Sequence, residues 1–414
     1  MAAAPLAALA QPLTLERAVE LALSRNERPL IAREEVAAAE ARLARARSYF
    51  FPSVALTGTY TRQPPVQRSG LSVRPSNSLV ATGAINVTIF DGSAIPVWRA
   101  AVQEAAASAD DARNEARLVA FEAADAFLQT LGAEQVANAA ERRLALARRS
   151  LEEARVRFKA QLVSSNDVTR AEVELANAEQ AATRARGDAT TARLNLSLLL
   201  AEDVTRVPLE EAPLAAEPIS EEAVKALVDR GTEQRPDVAA ARKRQAAADV
   251  LASEPLWRFI PSLSVGAEYN LNNVETAFAP AADWRATATL RWELFDPSRL
   301  ADWQEGQARA KVARLQAQAT ERAAKDEVAR ARVALTVAEA AVKQAAVAAE
   351  AARRNADETN ALYREGLARA IEVADASVGL YEAEVALARE RYARSTAWLT
   401  LRAAVGLDPL GREL

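Results

Sequence analysis

Four stretches of the chain alternate between apolar and polar residues, as half-buried β-strands do. Each is about ten residues long, apolar on one face and hydrophilic to charged on the other, which is typical of a tilted transmembrane β-strand. The predicted strands are 52–62, 79–90, 261–271 and 284–295. Two interpretations fit this pattern. Either the strands span a membrane, or they form two amphipathic hairpins that lie on the helices of a soluble protein.

The number of strands bears on that choice. A lone hairpin is marginally stable in water, four strands are too few to close a barrel, and open strand edges cannot face lipid. Strands that span a membrane would therefore have to come from several chains, and three chains together would supply twelve. Near the strand ends or on their apolar faces, where an aromatic girdle would lie, are Tyr60, Tyr269, Trp284 and Trp292.

Outside these strands the sequence is rich in alanine, leucine, glutamate and arginine, and it predicts helices. Each half of the chain should contain a short helix, a second helix, a very long helix and a return helix. The predicted helices are about 13–25, 29–49, 93–159 and 165–200, then about 220–230, 236–257, 298–364 and 370–405. A helix of about 65 residues is on the order of 100 Å long, which indicates a coiled coil, a solenoid or the wall of a tube.

The two halves repeat one another. Tyr363–Val373 aligns with 158–168 at a distance of 205 residues (363 − 158), and the Phe-Asp dipeptides at 90–91 and 295–296 share that spacing. The stretch FPSVALTGTY at 51–60 matches IPSLSVGAEY at 260–269 at a distance of 209 (260 − 51). The two loops between the paired strands differ in length, which accounts for the change in spacing. An old duplication should leave such an insertion in a surface loop.

This repeat predicts the domain organisation. Residues 204–219 form a linker, because prolines at three of its positions would interrupt a helix. Residues 1–12 are either the remnant of an export signal, since Ala8-Leu9-Ala10 resembles a signal-peptidase site, or a disordered alanine-rich segment. The two repeats and the tail are 13–203 (β-hairpin about 52–91, helical hairpin about 93–200), 220–408 (β-hairpin about 261–296, helical hairpin about 298–405) and 409–414.

Composition narrows the classes of function. Half of the 414 residues are hydrophobic but only 5% are aromatic, which favours narrow helix–helix seams over one thick core. With a net charge of −4 and no basic patch among aromatic residues, we predict no nucleic-acid partner. The sequence has no cysteine and no histidine, which excludes thiol nucleophiles, imidazole bases and the usual zinc ligands. We therefore predict that the protein is not an enzyme.

Taken together, the motifs resemble those of the TolC family of outer-membrane efflux channels. The resemblance spans about Leu13 to Pro409 and rests on LERAVELALSRN at 15–26, the two strand motifs, the Phe-Asp dipeptides and YREGLARAIEVADASVGLYEAE at 363–384. It implies an α+β membrane protein: a homotrimer with a 12-stranded β-barrel in outer-membrane lipid and an α-barrel of long helical hairpins in the periplasm of a Gram-negative bacterium. It implies no cofactor.

The family also implies a function. Such a trimer is the passive exit duct of a tripartite efflux or type I secretion system, reached through a periplasmic adaptor (membrane fusion) protein from an inner-membrane pump. The alternative is a soluble trimeric coiled-coil protein without a pore. By resemblance, the adaptor would dock on the tips of the helical hairpins, at Gln161, Leu162, Val163 and Ser164 in the first repeat and at Gly366, Leu367 and Ala368 in the second.

Gly366 explains the break between the two long helices of the second repeat, because glycine adopts the conformation that a helix reversal needs. Gln161 replaces it in the first repeat, so we expect two different turns. By resemblance, Asp167, Glu372 and Asp375 line the periplasmic aperture, with Arg170 and Arg369 as the nearest cations. Alternatively, acids in a first helical turn cap the helix and offset its dipole.

Overall fold

The computed structural model describes residues 12–68, 71–211, 221–230, 235–274 and 280–412. The elements up to residue 211 are α1 (Leu15–Arg25), α2 (Glu27–Ser48), β1 (Ser53–Arg62), β2 (Val66–Arg68), β3 (Leu71–Arg74), β4 (Asn77–Phe90), α3 (Ala94–Lys159) and α4 (Ser165–Leu200). The remaining elements are α5 (Glu221–Arg230), α6 (Pro236–Leu251), α7 (Glu254–Trp257), β5 (Ser262–Asn272), β6 (Ala282–Arg291), α8 (Ser298–Arg364) and α9 (Ala370–Ala404). The predicted α+β fold with long helical hairpins is confirmed. We call α3 with α4 the first hairpin and α8 with α9 the second hairpin.

The chain divides into two compact units. The first unit takes in the chain up to Arg33, Asp111–Val238 and the chain from Glu321 onward. The second unit consists of Glu34–Asp110 and Ala239–Thr320, and it includes the six strands found in the described ranges. None of the helices in the described ranges is both long and apolar enough to cross a membrane.

In the first unit, small side chains allow the helices to pack closely. Ala178, Ala182 and Ala185 form a buried stripe on α4 and contact Ala140 and other small or aliphatic residues of α3. The stripe has helical spacing, so one face of α4 is buried from Ala178 onward. Narrow seams of this kind are what the low aromatic content predicts.

Larger side chains gather where the short helices meet the long ones. Val19 on α1 packs with Phe127 on α3, Leu200 on α4 and Leu399 on α9, all of them fully or almost fully buried. Thr14 caps α1 by accepting a hydrogen bond from the backbone N–H of Arg17 (3.1 Å). A second cluster includes Leu335, Trp398 and Leu401, with Val224 and Val228 of α5 against it. These clusters fix the ends of the return helices.

In the second unit, the four long strands form one antiparallel sheet in the order β1-β4-β5-β6. The strands of the two halves are joined by the pairing of β4 with β5. An apolar row crosses the whole sheet, since Val54 lies opposite Ile85, Ile85 opposite Ala267, and Ala267 opposite Ala286. The alternation seen in the sequence therefore becomes one continuous apolar face.

The structure corrects the predicted ends of one helix and one strand, and it adds two short strands. The helix predicted to reach residue 257 ends at Leu251 and restarts as α7, because Pro255 has no N–H to donate to the Leu251 carbonyl four residues earlier and its ring would clash with that carbonyl. Strand β6 ends at Arg291 instead of residue 295, since its partner beyond Ser262 is a proline without an N–H group. The loop between β1 and β4 contains the short strands β2 and β3, which the pattern did not predict.

Candidate functional site

The apolar face of the sheet is exposed in the isolated chain. Leu56 on β1 is 83% exposed and Leu290 on β6 is 66% exposed, and Trp284 stands on the same face. Single exposed apolar residues are common on soluble proteins, but a contiguous apolar face marks an interaction surface. Strands β1 and β6 are the two edges of the sheet, and each has unpaired backbone groups along one side.

The opposite face of the sheet is polar and hydrogen-bonded across the strands. The Thr82 hydroxyl donates to Asn270 Oδ1 (2.7 Å), and Asn270 Nδ2 donates to Asp283 Oδ2 (3.3 Å), so one ladder joins β4, β5 and β6. Glu268 lies directly opposite Arg285. Such cross-strand pairs stabilise a sheet on the face where they occur.

The four aromatic residues predicted for the girdle lie at two levels. Tyr269 lies opposite Trp284 in the half of the sheet nearer the β5–β6 loop, and Tyr60 on β1 also lies near a loop, where its hydroxyl donates to Asn77 Oδ1 (2.9 Å). Trp292 was predicted on the apolar face of a strand, but it follows the end of β6, and its Nε1 donates to the carbonyl of Phe259 (3.1 Å).

The end of the sheet nearer the long helices also has exposed aromatic residues, which the strand pattern did not predict. Phe51 precedes β1, and Phe295, 83% exposed, follows β6. Phe51 and Tyr60 are nine positions apart. At a rise of about 3.3 Å per residue and a tilt of about 40°, this spacing gives a height of about 23 Å, close to the apolar band of outer-membrane barrels. Phe51 belongs to the first strand motif and Phe295 to the second Phe-Asp dipeptide, so both residues stand in motifs that also mark the repeat.

The Phe-Asp dipeptides have a structural role at the junctions between strand and long helix. Asp91 Oδ1 accepts hydrogen bonds from the backbone N–H (2.9 Å) and hydroxyl (2.7 Å) of Ser93. Asp296 Oδ1 accepts the same pair from Ser298, at 2.9 and 2.8 Å. Each aspartate thus fixes the turn that leads from the sheet into a long helix. Asp91 also accepts from the Tyr49 hydroxyl (2.6 Å), and this bond raises the pKa of Tyr49.

The two hairpin tips have the same backbone structure, contrary to the expectation drawn from Gln161. Gln161 (φ +63°) and Gly366 (φ +78°) both adopt the left-handed conformation. In the first tip the N–H of Leu162 donates to the carbonyl of Arg157 (2.9 Å). In the second the N–H of Leu367 donates to the carbonyl of Leu362 (2.8 Å). Both turns are Schellman motifs, and in the first the hydrogen bonds stabilise a conformation that costs a non-glycine residue energy.

The residues predicted for adaptor docking lie in and just after these turns. Leu162 is 75% exposed and Leu367 73% exposed, so neither contributes to the core of the isolated chain. The other predicted docking residues are Gln161, Val163, Ser164, Gly366 and Ala368. Ser164 has a second role, because its hydroxyl accepts from the N–H of Asp167 (3.3 Å) at the start of α4.

Two of the three predicted aperture acids cap helices. Asp167 Oδ2 accepts from the Ser164 N–H (3.0 Å), which completes a capping box. Glu372 accepts from the Arg369 N–H (3.2 Å) and pairs with the Arg369 guanidinium (3.2 Å). Asp375 is exposed and has no hydrogen bond or ion pair among the described residues. Aperture and capping roles are compatible for Asp167 and Glu372, whereas Asp375 has no capping role.

Arg170, predicted to offset the charge of Asp167, forms no ion pair with it in the described chain. It instead lines a small cavity of about 50 Å³ between the two hairpins, together with Glu174, Tyr363 and Val373. The start of α4 and the start of α9 therefore lie on the same cavity. Near the tips, α3 and α8 are linked by a contact that the sequence did not reveal. Arg157 stacks over the Tyr363 ring (4.4 Å to its centroid) and donates to the Tyr363 carbonyl (3.0 Å).

A further cationic seam joins the two hairpins farther from the tips. Arg143 forms two hydrogen bonds with Glu174 of α4 (3.0 and 3.2 Å) and lies over the Tyr381 ring of α9 (5.1 Å). Arg142 pairs with Glu384 of α9 (2.8 Å). Adjacent arginines on α3 thus contact both return helices. No sequence signal separates these arginines from the many solvated ones.

Comparison with known proteins places this geometry in a family. The sequence profile of the outer membrane efflux protein family matches residues 18–202 and 227–407, most of the chain. The fold is similar to that of the Campylobacter jejuni CmeC outer membrane channel (TM-score 0.82, 17% identity, 96% of this chain and 86% of that one). It is also similar to that of the Vibrio cholerae outer membrane protein VceC (TM-score 0.80, 18% identity, 95% and 96%).

A curated relative is more similar in sequence. Protein CyaE of Bordetella pertussis is 27% identical over 313 residues, which cover 74% of this chain. The match covers 65% of the relative, so this chain spans less than two thirds of its length. The profile match over both halves, the similar folds and the exposed apolar sheet agree with the resemblance seen in the motifs, and the chain belongs to the outer membrane efflux protein family.

Proposed function

We propose that three copies of this chain form the exit duct of a tripartite efflux or type I secretion system in the outer membrane of a Gram-negative bacterium. The observation that supports this most directly is the four-stranded sheet, with one exposed apolar face and two open edges. Open edges cannot face lipid. Pairing β6 of one copy with β1 of the next removes every edge, and three copies close a barrel of twelve strands.

The helical hairpins would then extend into the periplasm, with their tips exposed. Leu162 and Leu367 have no packing role in the isolated chain, and the two tips share one turn structure. Two equivalent apolar tips per chain suit a ring of repeated contacts with a periplasmic adaptor protein, which would connect the duct to an inner-membrane pump. Transport through such a duct is passive, and we propose that this chain has no catalytic role.

The acids near the tips would set the electrostatics of the periplasmic aperture. Three copies would contribute three carboxylates each from Asp167, Glu372 and Asp375. Charges of one sign at close range repel, and in each copy the pair between Glu372 and Arg369 offsets part of that repulsion. Asp375 has no such partner in the described chain, so it would contribute most to cation attraction.

The experiment that tests the duct distinguishes it from a soluble coiled-coil trimer. The sequence has no native cysteine, so Leu56→Cys and Thr57→Cys place single thiols on the two faces of β1. In intact membranes a lipophilic maleimide should react with the first thiol, and a membrane-impermeant reagent with the second. Equal reaction at both positions, together with extraction without detergent, would refute the membrane barrel.

Docking is tested separately. The double variant Gly366→Arg with Leu367→Asp should abolish export while trimers persist on native gels. The matched control is Glu365→Gln, in the same turn, which should export normally. Normal export by the double variant would refute the docking role of this tip without bearing on the barrel.

A further inference from the structure

The polar face of the long strands has four charged side chains, and three of them have partners on the sheet. Glu268 and Arg285 lie opposite one another on β5 and β6, so their charges largely offset. Asp283 accepts a hydrogen bond from Asn270. The fourth is Arg291, at the end of β6 nearer the long helices.

Arg291 stands apart from these partners. It is exposed, and its cross-strand neighbour is Ser262, which has no charge. The acid on the same side of the chain just beyond it, Glu293, pairs with the buried Arg299. Among the described residues Arg291 forms no ion pair.

The neighbouring copy would not neutralise Arg291 either. In the proposed trimer, β1 of the next copy lies beside β6. Because β1 begins at the end of the sheet where β6 finishes, an antiparallel pairing brings the start of β1 next to Arg291. The polar-face residues of β1 at that end are Ser53, Ala55 and Thr57, none of which is acidic.

We propose that Arg291 from three copies forms a basic ring in the barrel lumen, at its helix end, and that this ring attracts the anionic groups of passing cargo. The proposal rests on the proposed trimeric barrel. A guanidinium has a planar set of donors that matches carboxylate and phosphate oxygens. The ring therefore favours solutes with exposed carboxylates or phosphates, and it acts independently of the acids at the periplasmic aperture.

The test uses a reporter thiol beside the ring. Ser262→Cys places a single cysteine opposite Arg291 in a chain without native cysteine. We would measure its rate of modification in membrane-embedded trimers by the anionic sulfonatoethyl and the cationic trimethylammonioethyl methanethiosulfonate reagents. Both reagents are small enough to enter the lumen from the cell exterior, so the periplasmic aperture does not limit the reaction.

At low ionic strength, adding Arg291→Gln to the reporter should lower the ratio of the anionic to the cationic rate about fivefold, given one charge at roughly 7 Å in water. Raising the salt to 1 M should reduce the difference, because the screening length falls to about 3 Å. The matched control is Arg285→Gln, six residues away on the same face, at about 20 Å along the strand. At the same low ionic strength it should change the ratio less than about twofold, because the Coulomb energy in water falls to roughly 0.2 kcal/mol at that distance.

Two results would overturn the proposal, and they are distinguishable. If the rate ratio is the same with Arg291 and with Arg291→Gln, while trimers form normally, the ring does not attract anions. That result leaves the barrel assignment unaffected. If the reporter thiol instead reacts with a lipophilic maleimide and with neither charged reagent, this face lies in lipid. The barrel assignment then fails together with the ring.

Discussion

Asn26 and Arg235 precede equivalent helices in the two halves of the chain, and each holds the end of the return helix of its own half. Asn26 Nδ2 donates to the carbonyl of Leu199 (2.9 Å), and the Arg235 guanidinium donates to the carbonyl of Ala404 (3.0 Å). The last carbonyls of a helix have no partner within it, so both side chains satisfy groups that would otherwise be buried without a hydrogen bond.

The contacts at the ends of the two return helices differ in the charges around them. Arg235 is buried and also pairs with Asp237 (2.7 Å) and Glu327 (2.6 Å). In the first half the arginine is Arg28, which is partly exposed and pairs with Glu115 (2.6 Å) and Glu122 (2.5 Å). Removing a buried partner is more costly than removing an exposed one.

We therefore expect Arg235→Met to lower the free energy of unfolding by about 3 kcal/mol, because the partly buried Asp237 loses its ion-pair partner and the buried Ala404 carbonyl loses its donor. Asn26→Ala should cost about 1–2 kcal/mol, the effect of a buried carbonyl left without a donor. Thermal unfolding followed by circular dichroism at neutral pH measures both. A smaller loss for Arg235→Met than for Asn26→Ala would contradict this assignment.

Asp237 should make the stability of the Arg235 contact at the end of α9 sensitive to acid. Burial alone would raise the pKa of the Asp237 carboxyl, but the hydrogen bonds and charge of Arg235 outweigh it and hold the pKa below its ordinary value. The contribution to stability is then fully present above the unfolded pKa of about 4 and is lost progressively as the pH falls from there through the lower, folded-state pKa. Comparing the unfolding midpoints of wild type and Asp237→Asn from pH 7 to pH 3 should show a difference that narrows as the pH falls below about 4. A constant difference would contradict the prediction.

Introducing an arginine should destabilise the protein more on the apolar face of the sheet than on the polar face. Ile85→Arg or Ala286→Arg, on the apolar face between the levels of Phe51 and Tyr60, should destabilise the protein by about 2–4 kcal/mol, the cost of a charge near the membrane midplane. The matched control is Thr289→Arg, which places the same side chain on the polar face of the same strand. Urea unfolding in lipid vesicles measures the difference, and similar losses on both faces would show that neither faces lipid.

Because the two tips share one turn structure, exchanging glutamine and glycine should have opposite effects on stability at the two tips. Gln161→Gly should stabilise the first hairpin by about 1 kcal/mol, because it removes the cost of a left-handed non-glycine residue. Gly366→Gln should destabilise the second hairpin by a similar amount. Hydrogen exchange of the tip amides measures both effects. Effects of the same sign at the two positions would show that the turns are not equivalent.

The aperture acids can be tested by recording single-channel currents in planar bilayers. We expect Asp167→Asn, Glu372→Gln and Asp375→Asn together to reduce cation selectivity and divalent block. Asp375→Asn alone should produce a large part of that change, since Asp375 has no capping role. Unchanged selectivity in the triple variant would mean that none of these acids sets the selectivity of the aperture. A fall in stability of about 1 kcal/mol for each removed cap would accompany either outcome.

The sequence by itself determined most of the secondary structure of this protein and the positions of the turns between its long helices. Helix α8 begins and ends at the predicted residues, and α4 does too, because long alanine-rich helices are limited by local signals at Ser164 and Gly366. The period of two identified which strand residues share a face, as the pairing of Tyr269 with Trp284 shows. These features depend on residues close together in the chain.

Only the tertiary structure decided which residues meet across long distances. Pairing of β4 with β5 turns two predicted hairpins into one sheet. Pairing of β5 with β6 ends β6 at Arg291, opposite the first residue of β5. The sequence also did not show which of its many arginines make contacts between helices, namely Arg157, Arg143 and Arg235. An arginine on a helix looks the same in the sequence whether it faces water or an aromatic ring. The difference is made by the helix that packs against it, and local periodicity carries no information about that helix.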